Sequence, residues 1–557
     1  MEKNYTPKIQ NLIKLWEKNI TKEEKEELKS LDDKTLYDSF YKELEFGTGG
    51  IRGIMGLGIN RLNVYIVKKV ILGYSKYLKN NLSNKGISIA ISYDNRNNSK
   101  LFAEVATEVL AAQGIKTYIT ENLRPTPYLS FMVREFKTNG GIMITASHNP
   151  KEYNGIKLYD ENGCQMVPKY TNEVIKKINE VTNYFEIKAE KNELINIVDE
   201  SFDEKYLNEV LKLQLNENQA KPYTFLYTPL HGTGGTLINE LANKTGYKIK
   251  TVEEQMVVDG NFSKTKSSNP EDEEAYELAL KRAIEINADA VLATDPDADR
   301  LGIIVRHNDS YIFLNGNQTV SIQLYYLLTM KNKLDQKLDG IVYFSHVTTP
   351  ILRDICNKFK VEYEEVLTGF KFIGDAIENN KKPFLFGAEE SYGSLALPFV
   401  RDKDAIQAVL MLIEMVTYYK NNKKSLYDVL LEVYETFGFY AEKTVQMTYR
   451  GEEGALKIKK IMDHYYSNVP KALNNMPKKI ENYFNGTVTE NNETKKANLP
   501  LANVVKFIYS DVELTFRPSG TEPKIKIYLY VKDNSMLKAE NRLEEIVGKL
   551  NQEINQI

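Results

Sequence analysis

The sequence predicts an α/β fold in which largely parallel strands alternate with helices. Three short apolar runs with strand character each lead into a polar loop: residues 141–144, 288–293 and 383–386. Strands that are buried on both faces have this continuous apolar character, and α/β sheets place ligands beyond the carboxyl ends of such strands. Helical patterns of suitable length lie between the runs: residues 100–113, 350–359 and 405–419. This alternation indicates right-handed βαβ units.

The C-terminal part predicts a different architecture. Residues 512–516 and 525–531 are predicted as antiparallel strands around a Pro-Ser-Gly turn, and a helix is predicted from about Ser535. Residues 474–499 are rich in Asn, Lys, Glu and Thr, which predicts a solvated excursion. We therefore expect an α+β domain at this end of the chain.

Length and composition indicate a multidomain globular protein. At 557 residues the chain is too long for one core, and a typical domain of roughly 150 residues suggests about four domains. Lys and Arg total 73 against 76 for Asp and Glu, so no global basic field would draw the protein to nucleic acid or to an anionic membrane. A local cationic cleft for a phosphorylated metabolite is compatible with this balance.

The sequence also predicts a cytoplasmic protein. Its two cysteines, Cys164 and Cys356, lie far apart and lack metal-ligand spacing, so we expect buried, reduced thiols. No signal-peptide hydrophobic region and no long apolar span appears in the sequence.

Ser147 is the first candidate functional residue, in the segment Thr-Ala-Ser-His-Asn-Pro directly after the first apolar run. Backbone N–H groups in a turn between a strand and a helix can face a phosphate. Taken alone, the segment also fits a helix N-cap serine. His148 is not expected to act as the base for Ser147, because neighbouring side chains diverge. Together with the aspartates described next, the serine is better interpreted as a phosphate carrier than as an acyl nucleophile.

Asp295, Asp297 and Asp299 lie in Thr-Asp-Pro-Asp-Ala-Asp-Arg, directly after the second apolar run. Three alternating carboxylates suit Mg²⁺, which takes oxygen ligands and leaves room for a phosphate oxygen. Their mutual repulsion also makes a bound cation favourable. The alternatives are a solvent-exposed acidic turn and the nucleophilic aspartate of a haloacid-dehalogenase-type phosphatase. The latter is disfavoured because Asp297 is followed by Ala-Asp-Arg instead of Gly-Thr or Gly-Val.

Two further loops have chemistry suited to a sugar phosphate. Glu389 and Ser391, in Gly-Ala-Glu-Glu-Ser, point the same way if the chain is extended, a spacing that suits adjacent sugar hydroxyls. The loop after residue 516 combines a fork-shaped cation, hydroxyls and a flexible backbone, as a phosphate cradle would: Arg517, Ser519, Gly520 and Thr521. An acidic turn and a hairpin turn are the simpler interpretations of these two loops.

These motifs together resemble the α-D-phosphohexomutase superfamily, which includes phosphoglucomutases and phosphomannomutases. Four stretches carry the resemblance, in the order found in the family: residues 145–150, 295–300, 387–391 and 517–523. The resemblance implies three similar mixed-sheet α/β domains plus a C-terminal α+β domain around a central active-site cleft. The implied domains are residues 1–200, 201–315, 316–438 and 439–557.

The resemblance also implies roles for individual residues. Ser147 would be a phosphoserine whose phosphate completes the coordination of Mg²⁺ by the three aspartates. The loop at Arg517 would hold the phosphate that is not being transferred. Lys157 and Arg52 would serve catalysis near the transferring phosphate. Substrate binding would involve Glu389, Ser391 and the phosphate loop, together with further residues: Thr48, His148, Arg300, Thr368, Gly369 and Arg401.

The general acid or base is left open at this point. Some bacterial members of the superfamily place a histidine two residues after the loop serine, where this chain has Gly393. The segment Arg401-Asp-Lys403-Asp resembles another family segment and makes Lys403 a candidate. That segment usually continues with glycine, whereas this chain has Ala405.

The expected function is interconversion of α-D-glucose 1-phosphate and glucose 6-phosphate, with Mg²⁺ as cofactor and glucose 1,6-bisphosphate as intermediate and activator. The alternatives are mannose-phosphate or pentose-phosphate mutase activity, or a catalytically silent protein that binds sugar phosphates. We expect a phosphorylated sugar as the substrate, no nucleic-acid or membrane partner, and a monomer or weak dimer.

Overall fold

The computed structural model describes residues 6–47, 50–82, 86–449, 451–519 and 524–557. The chain forms two compact units. The large unit contains Met1–Gly316, Gly369–Gly387 and Ser391–Lys423, and the small unit contains Asn317–Thr368, Ala388–Glu390 and Lys424–Ile557. The four domain borders expected from the sequence stay a prediction. Within the described ranges, no helix is both long and apolar enough to cross a membrane.

Three helices open the large unit: α1 (Pro7–Asn19), α2 (Lys22–Ser30) and α3 (Asp33–Phe40). Each begins after a side chain that accepts a backbone N–H of the first turn: Thr6, Thr21 and Asp32. Trp16 on α1 is fully buried, and its Nε1 donates a hydrogen bond of 3.1 Å to the hydroxyl of Tyr184. This contact fixes the N-terminal helices to the body of the unit.

A seven-stranded mixed sheet follows, in the order β1-β2-β6-β5-β3-β4-β7. Its strands are β1 (Phe46–Gly47), β2 (Gly50–Ile54), β3 (Ser88–Tyr93), β4 (Lys116–Thr120), β5 (Gly141–Ile144), β6 (Tyr153–Tyr159) and β7 (Ile195–Val198). The accompanying helices are α4 (Val64–Asn81), α5 (Ser99–Ala112), α6 (Thr126–Glu135), α7 (Pro168–Asn179) and α8 (Asp203–Leu211). Strand β5 is buried along its whole length, parallel to β3 and antiparallel to β6. The first predicted strand and the predicted helix at residues 100–113 are confirmed.

The large unit contains a second mixed sheet, of five strands in the order β12-β11-β10-β8-β9. Its strands are β8 (Thr224–Thr228), β9 (Lys248–Thr251), β10 (Ala290–Thr294), β11 (Leu301–His307) and β12 (Ser310–Leu314). Its helices are α9 (Gly234–Thr245), α10 (Glu253–Met256) and α11 (Glu277–Ile286). The fully buried β10 confirms the second predicted strand, and the six residues that join it to β11 are the aspartate loop.

Residues 316–437 continue the alternation of helices and strands. The elements are α12 (Gly316–Lys333), β13 (Ile341–Ser345), α13 (Ile351–Phe359), β14 (Glu362–Val366), α14 (Phe370–Asn379), β15 (Phe384–Glu389), β16 (Gly393–Leu395), α15 (Ala405–Asn421) and α16 (Leu426–Phe437). In the small unit, β13 and β14 pair in parallel. The third predicted strand and the predicted helices at 350–359 and 405–419 are confirmed.

The C-terminal part of the small unit is an antiparallel sheet in the order β17-β23-β22-β21-β18-β19-β20. Its strands are β17 (Phe439–Thr448), β18 (Lys479–Asn482), β19 (Thr487–Glu490), β20 (Glu493–Lys496), β21 (Val505–Ile508), β22 (Val512–Pro518) and β23 (Lys524–Asp533). Its helices are α17 (Gly451–Ser467) and α18 (Met536–Gln556). The predicted antiparallel strands, here β22 and β23, and the predicted C-terminal helix are confirmed.

Residues 474–499, expected as a solvated excursion, contain strands that the sequence did not predict. Three antiparallel strands, β18 to β20, lie there and extend the sheet from β21. The side chains of β20 are exposed. The polar composition therefore reflects the exposure of strands near the sheet edge, although each of these strands still pairs its backbone with a neighbouring strand.

One buried ion pair holds the segment that leads into α6. Asp203 is 1% exposed, and its carboxylate accepts hydrogen bonds of 2.8 and 2.7 Å from the Arg124 guanidinium and of 2.7 Å from the Tyr128 hydroxyl. Burial lowers the pKa of Arg124, but the bond and charge of Asp203 outweigh it and raise the pKa. Thr126, two residues after this arginine, belongs to the site described below.

We predict that Asp203→Ala lowers the free energy of unfolding by about 3–5 kcal/mol, because it leaves a buried guanidinium unpaired. Urea denaturation followed by circular dichroism measures the loss. The control is Asp199→Ala, which removes an exposed carboxylate from the same stretch of chain and should have a much smaller effect. Equal losses in the two variants would show that the ion pair does not stabilise this segment.

Candidate functional site

The aspartate loop brings three buried carboxylates together. Asp295 and Asp297 are 0% exposed and Asp299 is 2% exposed, and one oxygen of each lies within 4.8 Å of the other two. The loop closes on its first member, since Asp295 Oδ1 accepts hydrogen bonds from the backbone N of Asp299 at 3.1 Å and of Arg300 at 3.0 Å. No other group of three His, Cys, Asp or Glu side chains converges this closely in the described part of the chain.

The chemistry of this cluster fits a hard divalent cation. Asp297 Oδ1 and Asp299 Oδ1 are buried oxygens that accept no hydrogen bond. Burial, reinforced by the charges of Asp297 and Asp299, raises the pKa of Asp295 well above its usual value. A metal ion bound by the three carboxylates would offset this repulsion and would supply a partner for the two oxygens.

Ser147 lies against the cluster. It follows β5 by three residues, has a positive φ of 51° and is 1% exposed. Its backbone N donates to Thr145 Oγ1 at 2.8 Å, and its Oγ donates to Asp295 Oδ2 at 2.9 Å. The serine and aspartate loops, 148 residues apart in sequence, therefore meet where β5 and β10 end.

His148 lies closer to the serine hydroxyl than the sequence suggested. Its Nδ1 is 3.2 Å from Ser147 Oγ, so the expectation that these neighbouring side chains diverge is wrong. The cause is the left-handed backbone at Ser147, a conformation that redirects the following residue. Burial, together with the charges of Arg300 and Arg52, holds the pKa of His148 well below its usual value. The imidazole beside the hydroxyl is therefore neutral.

Arg96 holds the serine loop in place, and sequence reasoning missed it. It follows β3, the parallel neighbour of β5, and its Nε lies 3.4 Å from Asp94 Oδ2 with both side chains fully buried. Its guanidinium donates to four carbonyl oxygens of the loop, those of Ser147, Asn149, Pro150 and Tyr153. Its place three residues after β3 gave no local signal of this role, because its contacts are with a loop 51 to 57 residues further along the chain.

Two lysines supply positive charge at the aspartates. Lys157 on β6 places its Nζ 2.7 Å from Asp297 Oδ2 and 3.3 Å from Asp299 Oδ2. Lys403 places its Nζ 3.1 Å from the same oxygen of Asp299. Burial lowers the pKa of Lys157, but the two carboxylates outweigh it and raise the pKa. The sequence singled out both lysines, and the structure brings them to one carboxylate.

Thr126 is a second contact that the sequence did not reveal. Its backbone N donates to the carbonyl of Asp297 at 2.9 Å, and its Oγ1 donates to Asp297 Oδ2 at 2.7 Å. Burial and the charge of Asp299 raise the pKa of Asp297, yet Lys157 and Thr126 together hold it below its usual value. Lys157 on β6 and Thr126 at the start of α6 therefore favour the ionised form of Asp297.

The three candidate arginines of the large unit have different surroundings. Arg52 Nη1 donates to Asn149 Oδ1 in the serine loop at 3.1 Å. Arg300 Nε lies 3.8 Å from Asp299 Oδ1, and its Nη1 forms an ion pair of 2.6 Å with Glu271. The guanidinium of Arg401 instead contacts Glu378 and the carbonyls of Pro398 and Val400. Two of the three thus lie beside the serine and aspartate loops.

The remaining candidates of the large unit are Ser391 and Gly369. Ser391 follows β15 by two residues and is partly exposed. Gly369 lies at the start of α14 with a positive φ of 115°, which only glycine adopts readily.

In the small unit, the predicted sugar and phosphate loops lie near each other. Glu389 is 4% exposed, and its neighbour Glu390 accepts a hydrogen bond of 3.0 Å from Ser345. Burial and the charge of Glu389 raise the pKa of Glu390 to about 7, opposed by the positive charge of Arg517. Arg517 Nη1 lies 3.5 Å from the Tyr528 hydroxyl.

Two further candidates of the small unit each have one polar group to report. Ser519 donates its backbone N to the carbonyl of Lys524 at 2.8 Å, and Thr368 has a buried hydroxyl without a hydrogen-bond partner. Thr48, Gly520 and Thr521 lie outside the described residues.

Comparison with protein families gives three consecutive matches. They are described as phosphoglucomutase/phosphomannomutase alpha/beta/alpha domain I at residues 43–185, domain II at 204–308 and domain III at 315–437. A phosphoglucomutase of Staphylococcus haemolyticus is 39% identical over 503 residues, which cover 88% of this chain and 90% of the relative. A phosphoglucomutase of Staphylococcus aureus (strain MSSA476) is 37% identical over 506 residues, covering 89% and 91%.

Solved structures share the fold. A putative phosphomannomutase from Thermus thermophilus superposes with a TM-score of 0.68 at 20% identity, covering 92% of this chain and 99% of that one. The phosphoprotein pp63/parafusin of Paramecium gives a TM-score of 0.68 at 18% identity, covering 93% and 95%. With three successive domain matches over more than half of the chain and relatives of 37–39% identity along most of it, the chain belongs to the phosphoglucomutase/phosphomannomutase family.

Proposed function

We propose that this chain is a phosphohexomutase that interconverts α-D-glucose 1-phosphate and glucose 6-phosphate through a phosphoserine at position 147. The observation that carries the proposal is the 2.9 Å contact between Ser147 Oγ and Asp295 in a cluster of three buried carboxylates. A hydroxyl at a cation-binding cluster suits phosphoryl transfer better than acyl chemistry. The curated relatives named as phosphoglucomutases support glucose as the sugar.

The proposed reaction has two half-reactions that share one phosphate carrier. In the first, the free hydroxyl oxygen of the sugar bonds to the phosphorus on Ser147, and the bond from phosphorus to Ser147 Oγ breaks. The hydroxyl proton passes to the neutral amine of a lysine, and glucose 1,6-bisphosphate forms. After the bisphosphate has turned around, Ser147 Oγ, which kept the electron pair of the bond that broke, bonds to the phosphorus of the other phosphate. The bond from that phosphorus to the sugar oxygen breaks, and this oxygen takes the proton back from the lysine. Atoms and charges are thus restored after each turnover.

The three aspartates and an oxygen of the serine phosphate would hold Mg²⁺. When bound, the cation supplies charge balance at the transferring phosphoryl group. Lys157, held between Asp297 and Asp299, contributes a further fixed positive charge at the same place. Arg52, Arg300 and His148 line the serine and aspartate loops and are proposed to contact the substrate's transferring phosphate.

Lys403 is our candidate for the group that moves the hydroxyl proton. It approaches the same Asp299 oxygen as Lys157 does, at 3.1 Å, from a different segment of the chain. Lysine is among the side chains that act as a general acid or base when they lie within hydrogen-bond reach of the proton that moves. This position lets one lysine remain a charge-balancing group while the other exchanges a proton.

The remaining candidates are proposed to bind the sugar and its second phosphate. Glu389 and Ser391 would hold adjacent hydroxyls in both orientations of the bisphosphate, with Thr368, Gly369, Arg401 and Thr48 as further contacts. Arg517 would hold the phosphate that stays in place, together with Ser519, Gly520 and Thr521. A guanidinium fork suits a phosphate because it grips two oxygens at once.

We predict that Ser147→Ala reduces mutase turnover to background, because the two half-reactions lose their shared carrier. Intact-mass analysis after treatment with glucose 1,6-bisphosphate should detect one added phosphate on the wild type and none on the variant. The control is Ser130→Ala, which removes a buried hydroxyl that bonds only backbone atoms, Gly163 O and Arg401 N, and should still be phosphorylated. Peptide mapping that placed the phosphate on Asp295 would support a phosphatase-type nucleophile instead.

We predict that Asp297→Asn lowers kcat by about 10²-fold or more and shifts the Mg²⁺ dependence to higher concentration, because the cation loses an anionic ligand. Activity is titrated against Mg²⁺ for wild type and variant. Asp309→Asn, in the exposed turn between β11 and β12, is the control and should leave the curve unchanged. An identical Mg²⁺ curve for Asp297→Asn and wild type would remove this loop from the metal site.

We predict that Arg517→Lys raises KM and makes activity depend more strongly on added glucose 1,6-bisphosphate. A lysine cannot grip two phosphate oxygens as the guanidinium does, so the bisphosphate should escape more often before it is converted. Steady-state rates with and without the activator measure this. If wild type and variant responded alike to the activator, the loop would be only a turn.

A further inference from the structure

The side chain of Lys403 packs directly against Gly393, the first residue of β16. A Cβ atom added to Gly393 would lie 2.0 Å from Lys403 Cδ, 2.9 Å from Cγ and 3.2 Å from Cε, and these are its three nearest heavy atoms. A separation of 2.0 Å is far inside van der Waals contact. The backbone of Gly393 does not need a glycine, because its φ is not among the positive values. The missing side chain, not backbone freedom, is thus what this position provides.

The lysine stem that occupies this space is fixed at both ends. Its Nζ lies 3.1 Å from Asp299 Oδ2 and 3.5 Å from Asp402 Oδ1, and the side chain is 11% exposed. At the backbone end, the N of Asp404 donates to the carbonyl of Ser394 at 3.0 Å, which ties this segment to β16.

Two buried tyrosines hold the residues on either side of Lys403. The Tyr159 hydroxyl donates to Asp402 at 2.7 Å, and the Tyr206 hydroxyl donates to Asp404 at 2.8 Å. Asp404 also caps α15 by accepting the backbone N–H groups of the first turn. With its neighbours held in this way, the lysine cannot shift as a unit to make room for a side chain at position 393.

We infer that Gly393 is a positioning residue, whose missing side chain admits the Lys403 stem and thereby sets Lys403 Nζ against Asp299. A methyl group at position 393 would force the stem out of its path, and Nζ would leave the carboxylate. The effect on turnover rests on the proposed mutase function, whereas the packing relation between the two residues does not.

The first test is a double-mutant cycle on turnover. Gly393→Ala should lower kcat by about 10²-fold, the loss that a displacement of roughly 1 Å can cause, with KM changed by less than about twofold. In the Lys403→Ala background, which has no stem at this place, the same substitution should change kcat by less than about twofold. An equal loss in both backgrounds would overturn the inference, because Gly393 would then act through something other than the lysine.

The second test does not depend on activity. Gly393→Ala should lower the melting temperature by about 2–5 °C in the wild type and in Lys403→Met, which keeps an unbranched stem without the charge. It should leave the melting temperature unchanged in Lys403→Ala. Gly548→Ala is the matched control, because an added Cβ on this exposed helical glycine meets nothing within 4 Å.

The two tests separate the inference from the proposed function. A wild type that turns over no sugar phosphate would contradict the mutase proposal, and the melting temperatures would still decide the packing relation. If the wild type is active but Gly393→Ala lowers the melting temperature equally in the wild type and in Lys403→Ala, the inference is contradicted and the proposed function is not.

Discussion

Three carboxylates buried within 4.8 Å of one another repel strongly, and much of the polar structure of the large unit compensates for that repulsion. Backbone N–H groups of the loop bind the first aspartate, Thr126 and Lys157 bind the second, and Lys157 and Lys403 bind the third. Two carboxylate oxygens still lack a donor. That remaining demand for positive charge fits the cluster to a divalent cation.

The fold meets this demand by bringing together segments that are distant in sequence. The serine loop follows β5 in the first sheet, and the aspartate loop follows β10 in the second. Arg96 binds carbonyl oxygens of the serine loop. The Arg124–Asp203 ion pair fixes the segment that contains Thr126, and Thr126 in turn binds the aspartate loop. The geometry of the site therefore depends on these buried charged contacts. Their loss would displace the two loops even though the Ser147 hydroxyl and the three carboxylates were still present.

The local parts of this arrangement could be predicted from the sequence. Apolar runs that end in polar loops identified β5, β10 and β15, and the alternating carboxylates identified the cation cluster, because these signals lie within a few neighbouring residues. Arg96 and Thr126 could not be predicted, since their roles consist of contacts with residues 51 and 171 positions away. The approach of His148 to Ser147 followed from a left-handed backbone that composition does not encode. Strands β19 and β20 were missed because exposure and lack of pairing look alike in a polar sequence.

The central claim, that Ser147 carries the phosphate between two half-reactions, is tested most directly by a single-turnover experiment. Unlabelled phosphoenzyme is mixed with an equal amount of glucose 1-phosphate labelled with ³²P, and the product and the enzyme are separated. Our account predicts unlabelled glucose 6-phosphate and label on the Ser147 peptide, because the enzyme gives its own phosphate to the sugar and keeps the one from carbon 1. Label that stayed in glucose 6-phosphate during this first turnover would contradict the account.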